Sequence, residues 1–211
     1  MRELMMTKYY QFLEHWHQFG FFSALKISLY KQEEMVPAER DLHSLPALKK
    51  SSLANLDILD LGEQEYHFMD LKYTLRSRRE RARYYFKRGY RTFVMVEGKR
   101  VVGDLWYVTP KISLLPFVHP HVKWFGLNLG DNEAYLFDMQ VDVGQRGSGL
   151  STAFHGRVLE ILRDQGFHKA YGCYVTKNIP ALWMHRMIGY KELPHCIVRR
   201  YLFFETAMEK S

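Results

Sequence analysis

Hydrophobic positions along the chain follow two rhythms, and the switches between them mark out the elements. In KYYQFLEHWHQFGFFSALKISLYK, Phe12, Trp16 and Phe19 fall at i, i+4 and i+7, one face of a helix. Gly20 breaks or bends that helix, and Phe22, Leu25 and Leu29 predict a second, shorter one. The next stretch, VPAERDLHSLPALKKSS, carries two prolines among polar clusters and reads as a linker. This pattern divides the chain into a helical extension with its linker (1–50) and a main domain (51–211).

From LDILDL onward the order is regular. That segment predicts a first strand, and Glu63 to Gly89 predicts one or two helices ending at the glycine. RTFVMVEGKRVVGDLWYV predicts a hairpin, Thr92–Val96 and Val101–Val108 around a turn at EGKR. Residues 110–133 hold three prolines and several glycines and predict a long excursion. AYLFDMQVDV is a central strand, 149–165 a helix stopped by Gly166, and HKAYGCYVT another strand. NIPALWMHRMIG is a helix begun by Asn178 and Pro180 and ended by Gly189, and YKEL and CIVRRYLFF close the chain as strands.

Composition narrows the class. The chain has 211 residues, 47% hydrophobic and 15% aromatic, enough to bury a full core. No long uncharged apolar run predicts a spanning helix, and the N-terminus lacks a signal-peptide core. The two cysteines, Cys173 and Cys196, are too few for a disulfide scaffold and read as buried thiols of a cytoplasmic protein. The net charge of +7 is local: Arg76 to Arg91 holds eight of the 30 basic residues and one of the 23 acids, leaving 22 against 22 elsewhere. Such a stretch is a solvated helix surface, a lure for acidic substrates or coenzyme phosphates, or a nucleic-acid contact, in descending order of expectation. The pairs His15/His17 and His119/His121 lack a companion carboxylate or cysteine at ligand spacing, so no metal site is expected.

The chemistry gathers at QRGSGLS, between the central strand and helix 149–165. Leu150, Ala153, Phe154, Val158, Ile161 and Leu162 form one apolar stripe that fixes the helix in space. Its first turn leaves N–H groups without internal partners, and the dipole adds partial positive charge, which together suit an anion such as phosphate. Gly147 and Gly149 allow close approach, while Arg146 and the Ser148 and Ser151 hydroxyls offer further donors. No Lys-Ser/Thr follows, and the spacing is not GxGxxG, so neither a P-loop nor a dinucleotide fingerprint applies.

With its flanking strands, this segment resembles the GCN5-related N-acetyltransferases. The family turn, Arg/Gln-x-x-Gly-x-Gly/Ala, appears as Arg146-Gly147-Ser148-Gly149-Leu150-Ser151, with serine at the last position. A second element, Asn-x-x-Ala followed by Gly-Phe, appears as Asn178, Ala181 and Gly189-Tyr190. The resemblance covers about residues 55–205 and implies a mixed α/β fold, with a strongly twisted, mostly antiparallel sheet of about six or seven strands flanked by helices. It further implies acetyl-CoA as co-substrate and no metal. Turn amides at 146–151 would hold the pyrophosphate, and the strand edge Met139, Val141, Val143 the pantetheine arm. The thioester would then lie between strands 135–143 and 168–176, open to direct attack by a primary amine. His185 stands where many members place a tyrosine that protonates the leaving thiolate, and Asp138 is the candidate base or amine anchor. Asn178 also suits a helix N-cap.

Two further readings remain: the same fold with a longer acyl, carrier-protein or aminoacyl-tRNA donor, and a non-catalytic module at nucleic acid or a membrane. The expected acceptor is a small-molecule or peptide amine; nucleic acid is not the expected partner. Peripheral membrane contact through the aromatic N-terminal region and a homodimer are both compatible with the sequence.

Overall fold

The computed structural model describes residues 2–46, 53, 55–145, 147–201 and 204–209. In chain order the elements are α1 (Arg2–Phe19), α2 (Phe21–Leu29), β1 (Tyr30–Asp41), β2 (Asp57–Leu61), α3 (Glu63–Met69), α4 (Arg76–Phe86), β3 (Arg91–Glu97), β4 (Arg100–Val108), α5 (Pro120–Trp124), β5 (Glu133–Val141), α6 (Leu150–Asp164), β6 (Lys169–Val175), α7 (Ile179–Ile188), β7 (Lys191–Glu192), β8 (Cys196–Tyr201) and β9 (Phe204–Glu209). The described strands make one nine-stranded sheet in the order β2-β3-β4-β5-β6-β1-β8-β9, with β7 beside β1. Only β5 and β6 run parallel; every other named pair is antiparallel.

Alternation along the central strands sorts the core into two layers. Ala134 and Leu136 of β5 face Phe154, Val158 and Leu162 of α6 and Met184 and Ile188 of α7. Tyr135 and Phe137 face the other way, into a layer with Ala82 and Phe86 of α4 and Val122 of α5. The apolar stripe read along 150–162 is therefore the buried face of α6.

The sheet has more strands than the sequence pattern predicts, chiefly because of β1. The start of the predicted linker is this strand, with Val36, Pro37 and Ala38 buried. It pairs with β6 on one side and with β8 and then β7 on the other. A proline inside a sheet lacks one ladder donor. Pro37 sits where this is harmless, between the last β8 pair at Met35 and the first β7 pair at Ala38, and its carbonyl accepts from Leu193. The boundary read at residue 50 thus cuts off a segment lying within the sheet. The part of that linker at 47–52 lies outside the described residues. The C-terminal segment, read as one strand, is the hairpin β8–β9.

Helix α1 packs along α4. Helix α4 has no acid in its first turn, and Glu14 of α1 supplies one, accepting from the Ser77 amide at 3.1 Å and the Ser77 hydroxyl at 2.6 Å. At the far end of α4, Lys87 pairs with Glu3. No described helix is long and apolar enough to cross a membrane.

Candidate functional site

Strands β5 and β6 touch only at their beginnings, where Glu133–Tyr135 pairs with Lys169–Tyr171. Beyond Tyr135 they part: β5 stays with β4, and β6 runs on beside β1. The result is a fork in the middle of the sheet. The Asp142 amide donates to Val102 on β4 at 2.8 Å, so the preceding residue, Val141, turns its backbone to the fork. Met139 and Val141 therefore border the opening. Val143 lies beyond the strand, in the 3-10 turn Val143–Gln145, and is exposed; the predicted edge ends two residues earlier.

Beside the fork β5 is bulged. The β4 register shifts between Asp104 and Trp106, and Asp138 takes a left-handed φ of 50°. Its carboxylate is the centre of a charge network. Oδ1 accepts from Arg78 at 2.8 Å, and Oδ2 from Arg81 at 2.7 Å and the Tyr85 hydroxyl at 2.9 Å. Arg78 also bonds the Asp138 carbonyl at 3.0 Å and Asp104. Burial alone would raise the Asp138 pKa, but the two guanidiniums and these hydrogen bonds outweigh it and hold the carboxyl far below the usual range. A carboxylate so occupied does not take a proton from an amine. Asp138 is thus a structural anchor of the bulge, which corrects its reading as a base or amine anchor. Its partners share one face of α4: Arg78, Arg81 and Tyr85 stand at i, i+3 and i+7.

The same contacts resolve the basic stretch. Arg76 stacks on Tyr10, Arg79 and Arg83 meet Glu80, Lys87 meets Glu3, Arg88 lies 3.6 Å from the Tyr84 ring centroid, and Arg91 meets Asp60. Each basic side chain of the stretch thus has a contact within the fold, while Arg79, Arg83 and Lys87 remain about half exposed.

The glycine turn opens at the end of the fork. Gly147 and Gly149 have φ of 83° and 78°, conformations that side chains rarely adopt, and a Cβ on either would meet no atom within 4 Å. Space above the turn is therefore open. Gly149 is the N-cap of α6 and offers no side chain to the helix. Ala153 bonds back to its carbonyl at 3.1 Å, and Leu150 reaches the Ser148 hydroxyl at 3.4 Å. Among the described residues no acceptor faces the amides of Ser151 and Thr152. The Ser148 hydroxyl donates to the Gln145 carbonyl at 2.8 Å, so it shapes the turn rather than reaching outward. Leu150 is buried and pins the helix start. Arg146 lies outside the described residues.

On the α6–α7 face of the fork, His185 is buried between Tyr174, Tyr190 and His155. Its Nδ1 lies 2.8 Å from the Ala181 carbonyl, an acceptor only, so Nδ1 carries the proton and Nε2 keeps its lone pair. Nε2 would lie 3.6 Å from a Cβ on Gly172, the first β6 residue past the last β5 pair. Burial lowers its pKa, despite the bond to Ala181 and the nearby Glu192. Asn178 caps α7, accepting from the Ala181 amide at 3.2 Å.

The opposite face holds a group that the sequence did not join. The Tyr135 hydroxyl donates to Cys173 Sγ across the fork at 3.2 Å and meets His121 Nδ1 at 2.8 Å. His121 was weighed only as a metal ligand and Cys173 only as a buried thiol. Their meeting depends on where the 110–133 excursion folds, which no local signal encodes. No group of three or more described residues could hold a metal ion.

The sequence matches no protein-family model and no curated protein. Solved structures do resemble it. One contains a GCN5-related glucosamine N-acetyltransferase region of a fungal multi-domain GH3 β-N-acetylglucosaminidase, with 13% identity, a TM-score of 0.55, and coverage of 91% of this chain and 22% of that one. A GNAT-family protein from Novosphingobium aromaticivorans has 11% identity, a TM-score of 0.50 and coverage of 86% and 66%. A GNAT-family acetyltransferase from Colwellia psychrerythraea has 13% identity, a TM-score of 0.50 and coverage of 88% and 62%. The chain spans less than two thirds of each. At these identities the likeness defines the fold, and the fold is that of the GCN5-related N-acetyltransferases.

Proposed function

We propose that the chain transfers an acyl group, most simply acetyl from acetyl-CoA, to a primary amine. The observation that carries this reading is the pairing of two features: bare α6 amides under open space at Gly147 and Gly149, and a fork bordered by Met139 and Val141 that opens towards them. A diphosphate fits the first, and an extended pantetheine arm fits the second as an added strand. When bound, the thioester supplies the activated acyl group.

The chain's own residues then orient and move protons. Ser151 and Thr152 amides hold the anion, the Val141 backbone aligns the arm, and the Asp138 bulge fixes the shape of the fork. His185 exchanges a proton with the departing sulfur through Nε2. Burial keeps the ring neutral near pH 7, so donation follows protonation, and this contribution declines as pH rises through the lowered folded-state pKa of the ring.

Isothermal calorimetry tests the reading. Acetyl-CoA is expected to bind, with loss of affinity for dephospho-CoA smaller than for pantetheine alone, which lacks the diphosphate. Equal affinity for CoA and pantetheine would remove the diphosphate cradle from the account. Exclusive binding of long-chain acyl-CoA or acyl carrier protein would change the donor. His185→Phe is expected to lower turnover with coenzyme affinity retained.

A further inference from the structure

We infer that His121 is the proton acceptor for the incoming amine, with Tyr135 and Cys173 as positioning residues that fix its ring; this rests on the acyl-transfer reading above. The two faces of the fork carry separate proton-handling groups. His185 stands on the α6–α7 side, and His121, on α5, stands on the other. Tyr135 is the last β5 residue paired to β6, and Cys173 lies two residues past its β6 partner, Tyr171. Their side chains therefore meet at the point where the strands separate.

Hydrogen-bond direction sets the tautomer. The Tyr135 hydroxyl has one proton, and it goes to Cys173 Sγ at 3.2 Å. We assign the 2.8 Å bond to His121 Nδ1 as running from the ring to the phenol oxygen, the direction that leaves the phenol proton for sulfur. That leaves the lone pair on Nε2, which no described group bonds. Direct contact between Cys173 Sγ and Nδ1 is longer, 3.7 Å, so the phenol is the real link. His121 is half-buried, its ring packed at a tilt against Trp124 and Phe125.

Groups that touch the ring or act on it electrostatically come from several elements: His119 before it, Tyr135 on β5 and Cys173 on β6 in contact, and Asp138 on β5, Arg200 on β8 and Glu205 on β9 through their charge. Burial dominates and lowers its pKa to about 4, with Glu205 and Asp138 opposing and Arg200 assisting. Burial likewise pushes the Cys173 thiol up to about 12. Ring and thiol are neutral near pH 7, so Nε2 is ready to accept. As the amine nitrogen bonds the acyl carbon and the C–S bond breaks, the surplus nitrogen proton passes to His121 Nε2 and on to solvent. The departing thiolate takes its proton on the other face, from His185 after Nε2 has been protonated by solvent.

Two acceptors separate this role from a structural one. Ethanolamine is protonated near neutral pH and forms a strongly basic adduct nitrogen, whereas hydroxylamine is largely neutral and its adduct loses a proton readily. With acetyl-CoA as donor, His121→Gln is expected to lower kcat for ethanolamine about 100-fold, lower it far less for hydroxylamine, and leave acetyl-CoA affinity unchanged by calorimetry. Equal losses with both acceptors, or ethanolamine turnover within about twofold of the unsubstituted protein, overturn the inference. Histidine 15N spectra add a readout independent of turnover. His121 is expected as a neutral ring protonated on Nδ1, with that preference lost in Tyr135→Phe and weakened in Cys173→Ser. A ring protonated on Nε2 overturns the inference whatever the turnover. Failure of acetyl-CoA to bind would strike the donor reading instead.

Discussion

Arg78→Met tests whether a buried charge network, rather than apolar packing alone, holds the fork in shape. Arg78 has 5% of its side chain exposed and binds two carboxylates, Asp104 at 3% and Asp138 at 21%. Methionine preserves much of the volume but leaves Asp104 without its guanidinium, with the Trp106 indole N–H still bonded at 3.1 Å. Arg81 and Tyr85 still serve Asp138. Stranding one buried carboxylate costs about 3–5 kcal/mol. At about 2–4 °C per kcal/mol for a chain of this size, the melting temperature falls by roughly 6–20 °C. The sign with pH follows. An unpaired buried carboxyl has a folded-state pKa above its unfolded value, so its penalty is full at neutral pH and relieved as pH falls below the folded pKa. Denaturant melts of both proteins from neutral pH downward measure this difference. Adding Asp104→Asn removes the stranded charge and should recover part of the loss. A deficit that stays constant with pH, or a melting shift under about 2 °C, would refute the network's role.

Gly149→Ala meets no atom, so its cost is backbone strain, about 1 kcal/mol for a left-handed alanine; if the turn binds diphosphate, CoA affinity measured by calorimetry falls as well, and an unchanged affinity argues against the cradle. Burial depresses His119, His121 (to about 4), His155 (to about 3) and His185, so each stays neutral in the fold after the unfolded chain has begun to protonate. Stability is therefore full above about pH 6.5 and declines below it by up to about 1.4 kcal/mol per histidine per pH unit, readable from urea midpoints at pH 7 and 5. Glu14→Ala removes the acceptor at the start of α4 and should cost about 1 kcal/mol while hydrogen exchange quickens in α1 and the first turn of α4; exchange confined to α1 would mean the contact does not couple the helices.

The parts legible in the sequence were those whose signal is local. The α6 stripe, the glycine turn and the Asn178 cap each depend on residues within a turn or two, and each lies where the pattern placed it. Strand β1 was hidden because it is held mainly by main-chain pairing on both sides, so Glu33, Glu34, Glu39 and Arg40 can lie along it without an apolar alternation. Asp138 was noticed as a charge inside an apolar strand, but its role was set by α4, 57 and 60 residues earlier in the bonds to Arg81 and Arg78. Lone charged residues identify a site of interest; only their partners decide between anchoring and chemistry.

Strand β1 also bears on how the molecule is made. Its neighbours in the sheet lie far downstream in the chain, at residues 169–175 on one flank and 191–192 and 196–201 on the other. At the ribosome it waits unpaired while the intervening residues are translated, several seconds to tens of seconds at about 5–20 residues per second. The charged and proline-bearing make-up that disguised it as a connector suits that interval, since it offers little for stray strands to adhere to.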